Sequence, residues 1–127
     1  MDFRDTTEQM EFRAKARAFL DSATAGFSAE GSQAEREEQS RAWQALLHDH
    51  GWLGLSWPRA YGGQGLTPVH EAIFNEESIR YDAPLPINLL GLLLGGPTII
   101  AHGSETQKKR YLPGILSAQD IWCQGFS

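Results

Sequence analysis

The sequence predicts an all-α domain of about six helices that ends in one orphan strand. Three observations carry that expectation. Apolar residues recur at helical spacing, as in Phe12, Ala16 and Phe19 with Leu20 beside them. Helix-start signatures stand in front of such stretches: Ser32-Gln33-Ala34-Glu35, Thr67-Pro68 and Ser104-Glu105-Thr106-Gln107. Strand composition is confined to Ile121-Trp122-Cys123-Gln124-Gly125-Phe126-Ser127, which has no pairing partner in the chain. The length of 127 residues fits one domain. A globule of that size buries roughly two-thirds of its unfolded surface, enough for a core without disulfides.

The first helix is expected over residues 6–23, with Thr6 or Thr7 as its cap and acids in its first turn. Residues 24–31 are small and carry two glycines, so they form a loop. Ser32 opens the second helix, which buries Trp43, Leu46 and Leu47 and ends at Gly51. Residues 51–65 hold five glycines and a proline, yet also Trp52, Trp57 and Tyr61. That mixture predicts an ordered connection pinned by aromatic anchors. Thr67-Pro68 starts a third helix to about Tyr81, and Asp82-Ala83-Pro84-Leu85-Pro86 breaks it. Residues 87–94 are apolar on nearly every face, which predicts a buried helix. Gly95-Gly96-Pro97 should interrupt it before residues 98–102 resume. Ser104 then caps a segment with a basic turn, Lys108-Lys109-Arg110, followed by Pro113. An unpaired aromatic strand is an aggregation liability. The intact protein is therefore expected to continue into β structure after Ser127, dividing residues 1–120 from a truncated β-domain that starts at 121–127.

Composition narrows the function. Eleven Lys and Arg stand against 16 Asp and Glu, a net charge of −5, so no global positive field draws nucleic acid or an anionic membrane. The lone Cys123 excludes an internal disulfide framework and fits a reducing compartment. Met1-Asp2-Phe3-Arg4-Asp5 lacks the pattern of a secretory or transit signal, so cytoplasmic residence is expected. Residues 85–101 are the most apolar stretch, but Pro86, Asn88, Pro97 and three glycines leave them short of the ~20 residues of a membrane span.

Short motifs carry little chemistry alone. His48 and His50 diverge at i, i+2 on a helix and cannot share a metal ion. Glu76 and Glu77 point roughly 100° apart, which suits no acid–base pair, and Glu76 is expected to pair with Arg80. Gly62-Gly63-Gln64-Gly65 matches no phosphate-binding pattern. Lys108-Lys109-Arg110 reads as a solvated face. Cys123 has no basic neighbour to activate its thiol and reads as a packing residue.

Three segments in order resemble the N-terminal part of the acyl-CoA dehydrogenase family, bacterial type. The first is Gly51-Trp52-Leu53-Gly54 with Trp57-Pro58 and Tyr61-Gly62-Gly63-Gln64-Gly65, similar to the family's G-W-x-G…W-P-x-x-Y-G-G-x-G. The second is Glu76-Glu77, Arg80 and Ala83-Pro84. The third is His102-Gly103-Ser104-Glu105-Thr106-Gln107-Lys108 through Tyr111-Leu112-Pro113, then residues 121–127, similar to a run that closes on W-C-Q-G-[FY]-[ST].

The resemblance implies a helical first domain, then a β-domain and a helical C-terminal domain, with this chain about the first third. It implies FAD-dependent oxidation of an acyl-CoA thioester to the trans-2-enoyl-CoA, in fatty-acid or related catabolism. A glutamate takes the α-proton and the β-hydrogen passes as hydride to flavin N5. Gln124, Phe126 and Ser127 match positions that meet the flavin, although relatives often carry an aromatic residue at the place of Gln124. Ile87, Leu90 and Leu94 fall where relatives line the acyl cavity, and plain core is the alternative for all three. No catalytic residue or metal ligand is assigned, since relatives carry the base glutamate in the C-terminal domain. The fragment alone is expected to be inactive. Electron-transfer flavoprotein is implied as acceptor, and a homotetramer or mixed tetramer as assembly. Alternatives are a non-catalytic helical partner subunit or interaction module, and a flavin oxidase or monooxygenase of the same fold.

Overall fold

Reciprocal side-chain caps start three of the helices in the computed structural model, which describes residues 1–126. Helix α1, Thr7–Ala23, begins with Thr6 Oγ1 accepting from the Gln9 N–H (3.2 Å) while Gln9 Oε1 accepts from the Thr6 N–H (2.8 Å). Helix α2, Gln33–Asp49, uses Ser32 and Glu35 in the same way. Helix α3, Pro68–Arg80, departs from that chemistry: His70 Nδ1 lies 2.8 Å from Thr67 Oγ1 and accepts from the Thr67 N–H (3.3 Å). Helix α4 is Gly96–His102 and helix α5 is Glu105–Ser117, the latter capped by Ser104 with Gln107. Short 3-10 turns occupy Thr24–Gly26 and Arg59–Tyr61. Gly51, at φ +74°, lets the Trp52 N–H reach back to the Leu47 carbonyl (2.8 Å) and close α2.

The all-α expectation holds, and among the described residues the α-helices number five. Gly95-Gly96-Pro97 does not interrupt the chain. A π turn, Gly91–Gly95, leads directly into α4, and the Gly96 N–H bonds to the Gly91 carbonyl five residues back. Proline lacks an N–H and crowds the carbonyl four residues earlier. The wider π turn just before Pro97 accommodates that defect without ending the helix. Pro113 likewise sits inside α5.

The core gathers Ala16, Leu20, Trp43, Leu47, Leu53, Leu55, Trp57, Phe74, Leu112, Ile115 and Leu116. Helix α1 packs on α3, and α2 on α5. Residues 51–66 are an ordered strap across this core, as their aromatic content predicts. The Gln64 N–H bonds to the Gly54 carbonyl (3.0 Å), and the Leu66 N–H to the Leu55 carbonyl (2.8 Å). Gly63 lies against the Trp57 backbone where any Cβ would overlap it, so this glycine run is a packing feature. Trp52 stacks on Phe74 (4.9 Å between ring centres) and on Phe19 (5.3 Å).

Four other expectations change. Glu76 pairs with Arg13 of α1 at 2.9 Å, not with Arg80. Residues 87–94 are not buried all round: Leu90, Leu93 and Leu94 are exposed. Cys123 is exposed and packs on no core. Residues 121–126 form no strand, and among the described residues there is no sheet to pair with. No helix among the described residues is long and apolar enough to cross a membrane.

Candidate functional site

The residues assigned by resemblance lie on two segments, residues 87–94 and the stretch after α5. Leu90, Leu93 and Leu94 lie within and just before the π turn Gly91–Gly95. All three are open, with Leu90 41%, Leu93 61% and Leu94 48% exposed. Ile87 stands just before them, half-buried. A single apolar residue at the surface is ordinary, but three exposed leucines within five residues are a local concentration of apolar surface.

The segment after α5 is brought beside this stretch by two contacts. The Trp122 indole lies over Gly95, at which a Cβ would come within 3.1 Å of Cε3. Its backbone N–H donates to Asn88 Oδ1 at 2.9 Å. Trp122 also meets Tyr111 edge-on at 5.8 Å. The chain can turn there because Ala118 adopts a left-handed conformation, φ +60°, at the end of α5. Gln124 and Phe126 follow, both exposed, Phe126 at 87%. Ser127 lies outside the described residues. The contacts of Trp122 with Asn88 and Gly95 thus tie the segment after α5 to the stretch that carries Ile87, Leu90 and Leu94.

A flavin ring needs hydrogen-bonding groups along its polar edge and apolar cover on its faces. The exposed amide of Gln124 and ring of Phe126 are groups of those two kinds, so the residues present fit such a cofactor. A shallow groove of about 230 Å³ lies between Ser56, Glu71, Leu92, Leu93 and Pro97. It shares Leu93 with the exposed leucines but includes none of Ile87, Leu90 or Leu94. Glu71 there accepts from the Ser56 hydroxyl at 2.7 Å, which satisfies it locally.

The most buried carboxylate among the described residues is already occupied. Glu77 is fully buried; Oε1 accepts from Arg13 at 2.8 Å and Oε2 from Arg17 at 2.9 Å. Arg17, followed by Arg13, holds the Glu77 carboxyl below the usual carboxylate range against the opposing effect of burial. Arg13 also bonds Asp5 at 2.7 Å, and this holds Asp5 low as well. A carboxylate locked by two guanidiniums cannot accept a substrate proton, so Glu77 is an anchor between α1 and α3. Among the described residues, no group of three or more His, Cys, Asp or Glu side chains gathers at metal-binding range.

Two features escape motif reading. Arg13 and Arg17 present an i, i+4 pair toward Glu77, a pairing invisible without knowing that α1 meets α3. Gln44 and Asn88, buried amides in apolar surroundings, were legible only as polar residues in apolar stretches.

Residues 6–119 match the family model for the acyl-CoA dehydrogenase N-terminal domain. The chain is 40% identical over 124 residues to the acyl-CoA dehydrogenase IpdE1 of Mycobacterium tuberculosis (strain ATCC 25618 / H37Rv), covering 92% of this chain and 32% of that protein. It is 30% identical to mitochondrial isovaleryl-CoA dehydrogenase of Bos taurus, covering 90% of this chain and 27% of that protein. Among solved structures, a chain of the Tcur3481-Tcur3483 steroid ACAD aligns with TM-score 0.71 and 33% identity, covering 95% of this chain and 32% of that one. A chain of the ChsE4-ChsE5 complex from Mycobacterium tuberculosis aligns with TM-score 0.71 and 31% identity, covering 92% of this chain and 29% of that one. The chain spans about a third of the length of the curated relatives first matched.

Proposed function

The chain belongs to the acyl-CoA dehydrogenase family, and from that premise we propose that it forms the helical wall of the acyl and flavin site in an FAD-dependent acyl-CoA dehydrogenase. The observation that carries the reading is the open leucine face at Leu90, Leu93 and Leu94, tied through Trp122 to the segment bearing Gln124 and Phe126. In this reading residues 1–120 are the helical domain and residues 121–127 enter the β-domain. The reaction converts an acyl-CoA thioester to its trans-2-enoyl-CoA, and bound FAD supplies the hydride-accepting chemistry.

The chain's own residues then have distinct tasks. Ile87, Leu90 and Leu94 exclude water from the acyl group, which an apolar substrate slot requires. Gln124, Phe126 and Ser127 would help hold the flavin, the amide and hydroxyl by hydrogen bonding and the aromatic ring by apolar contact. The base glutamate is assigned outside residues 1–127, because the one fully buried carboxylate here is locked by Arg13 and Arg17. The acyl group is of bulky, steroid-like type. Support comes from the solved neighbour described as a steroid ACAD. Electron-transfer flavoprotein is the proposed acceptor and the cytoplasm the proposed location.

A second reading has its own support. One solved neighbour is described as the ChsE4-ChsE5 complex and another is named for two proteins, so this chain is also a candidate subunit of a mixed assembly, catalytic or not. One experiment tests the first reading. The protein carrying this domain, loaded with FAD, is mixed anaerobically with a steroid-side-chain CoA thioester or a straight-chain one. Bleaching of the flavin with enoyl-CoA formation, faster for the steroid-type thioester, is the expected result. Failure of both thioesters to bleach bound flavin would remove the dehydrogenase reading and leave the non-catalytic subunit.

A further inference from the structure

The segment expected to be a strand without a partner does have something to pair with. Asn88 is 1% exposed and stands just before the helical stretch that carries the leucine face. Its Oδ1 accepts from the Trp122 N–H at 2.9 Å, and its Nδ2 donates to the Asp120 carbonyl at 3.0 Å. An N–H and a C=O two residues apart are the groups that an adjacent strand would engage. One side-chain amide thus engages residues 120–122 as a strand neighbour would.

The amide is itself held from every side. Its second N–H donates to the Ile115 carbonyl at 3.0 Å. The Asn88 backbone N–H donates to Gln44 Oε1 at 2.9 Å, and Gln44 Nε2 reaches the Ile115 and Leu116 carbonyls at 3.0 Å each. Among the described residues no buried side-chain nitrogen or oxygen lacks a partner, so this network is complete. Gly91 gives it room: a Cβ there would lie 2.6 Å from both Oδ1 and Nδ2 of Asn88. Gln44 and Asn88 are the buried polar groups that link α2, the leucine-bearing helix, the end of α5 and the exit segment.

We propose that Asn88, braced by Gln44 and accommodated by Gly91, is a positioning residue that sets the register of residues 120–122 and so aims residues 124–126 at the flavin. The aim at the flavin rests on the function proposed above; the register does not. A slip in this register would displace Gln124 and Phe126 together, because both follow Trp122 in the same segment.

Two variants of the chain separate this from a general contribution to the core. Asn88→Asp keeps the shape but removes both donors and sets a carboxylate against two carbonyls. Gly91→Ala keeps the amide and displaces it, although alanine in a helix otherwise stabilises. Backbone amide exchange is followed by NMR at Trp122 and, as a reference, at Ala16 and Leu20 in α1. Both variants should accelerate exchange at Trp122 by about tenfold or more and leave the α1 amides within about twofold. Should Asn88→Asp fail to fold, Gly91→Ala alone decides. Unchanged Trp122 exchange, or equal acceleration at all three sites, would overturn the proposal. Neither readout involves flavin, so loss of the dehydrogenase reading would leave this result standing, and the reverse.

Discussion

At one end of the molecule Trp52 lies between Phe19 and Phe74, and Glu77 is enclosed by Arg13 and Arg17. At the other end Leu90, Leu93, Leu94 and Phe126 face outward while the backbone beneath them is fixed by Asn88 and Gln44. Both ends look equally apolar in the sequence. The difference is where the partner lies. The α1–α3 end finds its complement within the same chain and closes on it. The leucine face is ordered from below by polar bonds and left apolar above, an arrangement suited to holding a shape for something that binds. Stability is therefore concentrated at the first end and, in the proposed function, substrate contact at the second.

Substitutions can break that contrast. The largest effect is expected from Trp43→Ala, which empties a site that is 1% exposed and packed by Phe19 and Phe27. A loss of about 4 kcal/mol in denaturant unfolding is expected. Glu77→Gln should follow, at about 2–3 kcal/mol. Breaking a buried pair costs more in general, but Arg17 is half exposed and regains water.

Acid probes the same anchor. The folded-state Glu77 and Asp5 carboxyls are held below their ordinary values, so the folded form binds fewer protons than the unfolded one. Their contribution is present above the ordinary glutamate value of 4.5 and is lost as pH falls through the lower folded value. Thermal melts in acid should show that loss in the wild type and a flatter profile in Glu77→Gln. At the open end, Leu94→Gln should change stability by less than about 0.5 kcal/mol, because its side chain already meets solvent. A loss comparable with that of Trp43→Ala would erase the distinction between the two ends.

Much of the fold was legible because its signals are local. Thr6, Ser32 and Ser104 announce helix starts through residues three positions away. The glycines of residues 51–65 and their aromatic neighbours read as an ordered strap. The long-range pairings were not legible. Arg13 and Glu77 are 64 residues apart, and Gln44 and Asn88 are 44 apart, so no spacing rule joins them. The Gly95-Gly96-Pro97 break failed for a different reason: Gly96 lies against the Trp57 ring with no room for a side chain, so packing holds the helix through the proline. At the candidate site, motif order pointed to Ile87, Leu90, Leu94, Gln124 and Phe126, whereas Asn88, which joins their two segments, belonged to no motif.

In the proposed function the exposed leucines wall the acyl group. The most direct measurement is kcat/KM for acyl-CoA dehydrogenation by the FAD-loaded protein carrying Leu94→Arg, with FAD content determined on the same sample. A charge placed on a dry acyl wall should lower kcat/KM by about 100-fold with FAD content unchanged. Wild-type kcat/KM in that variant would contradict the account.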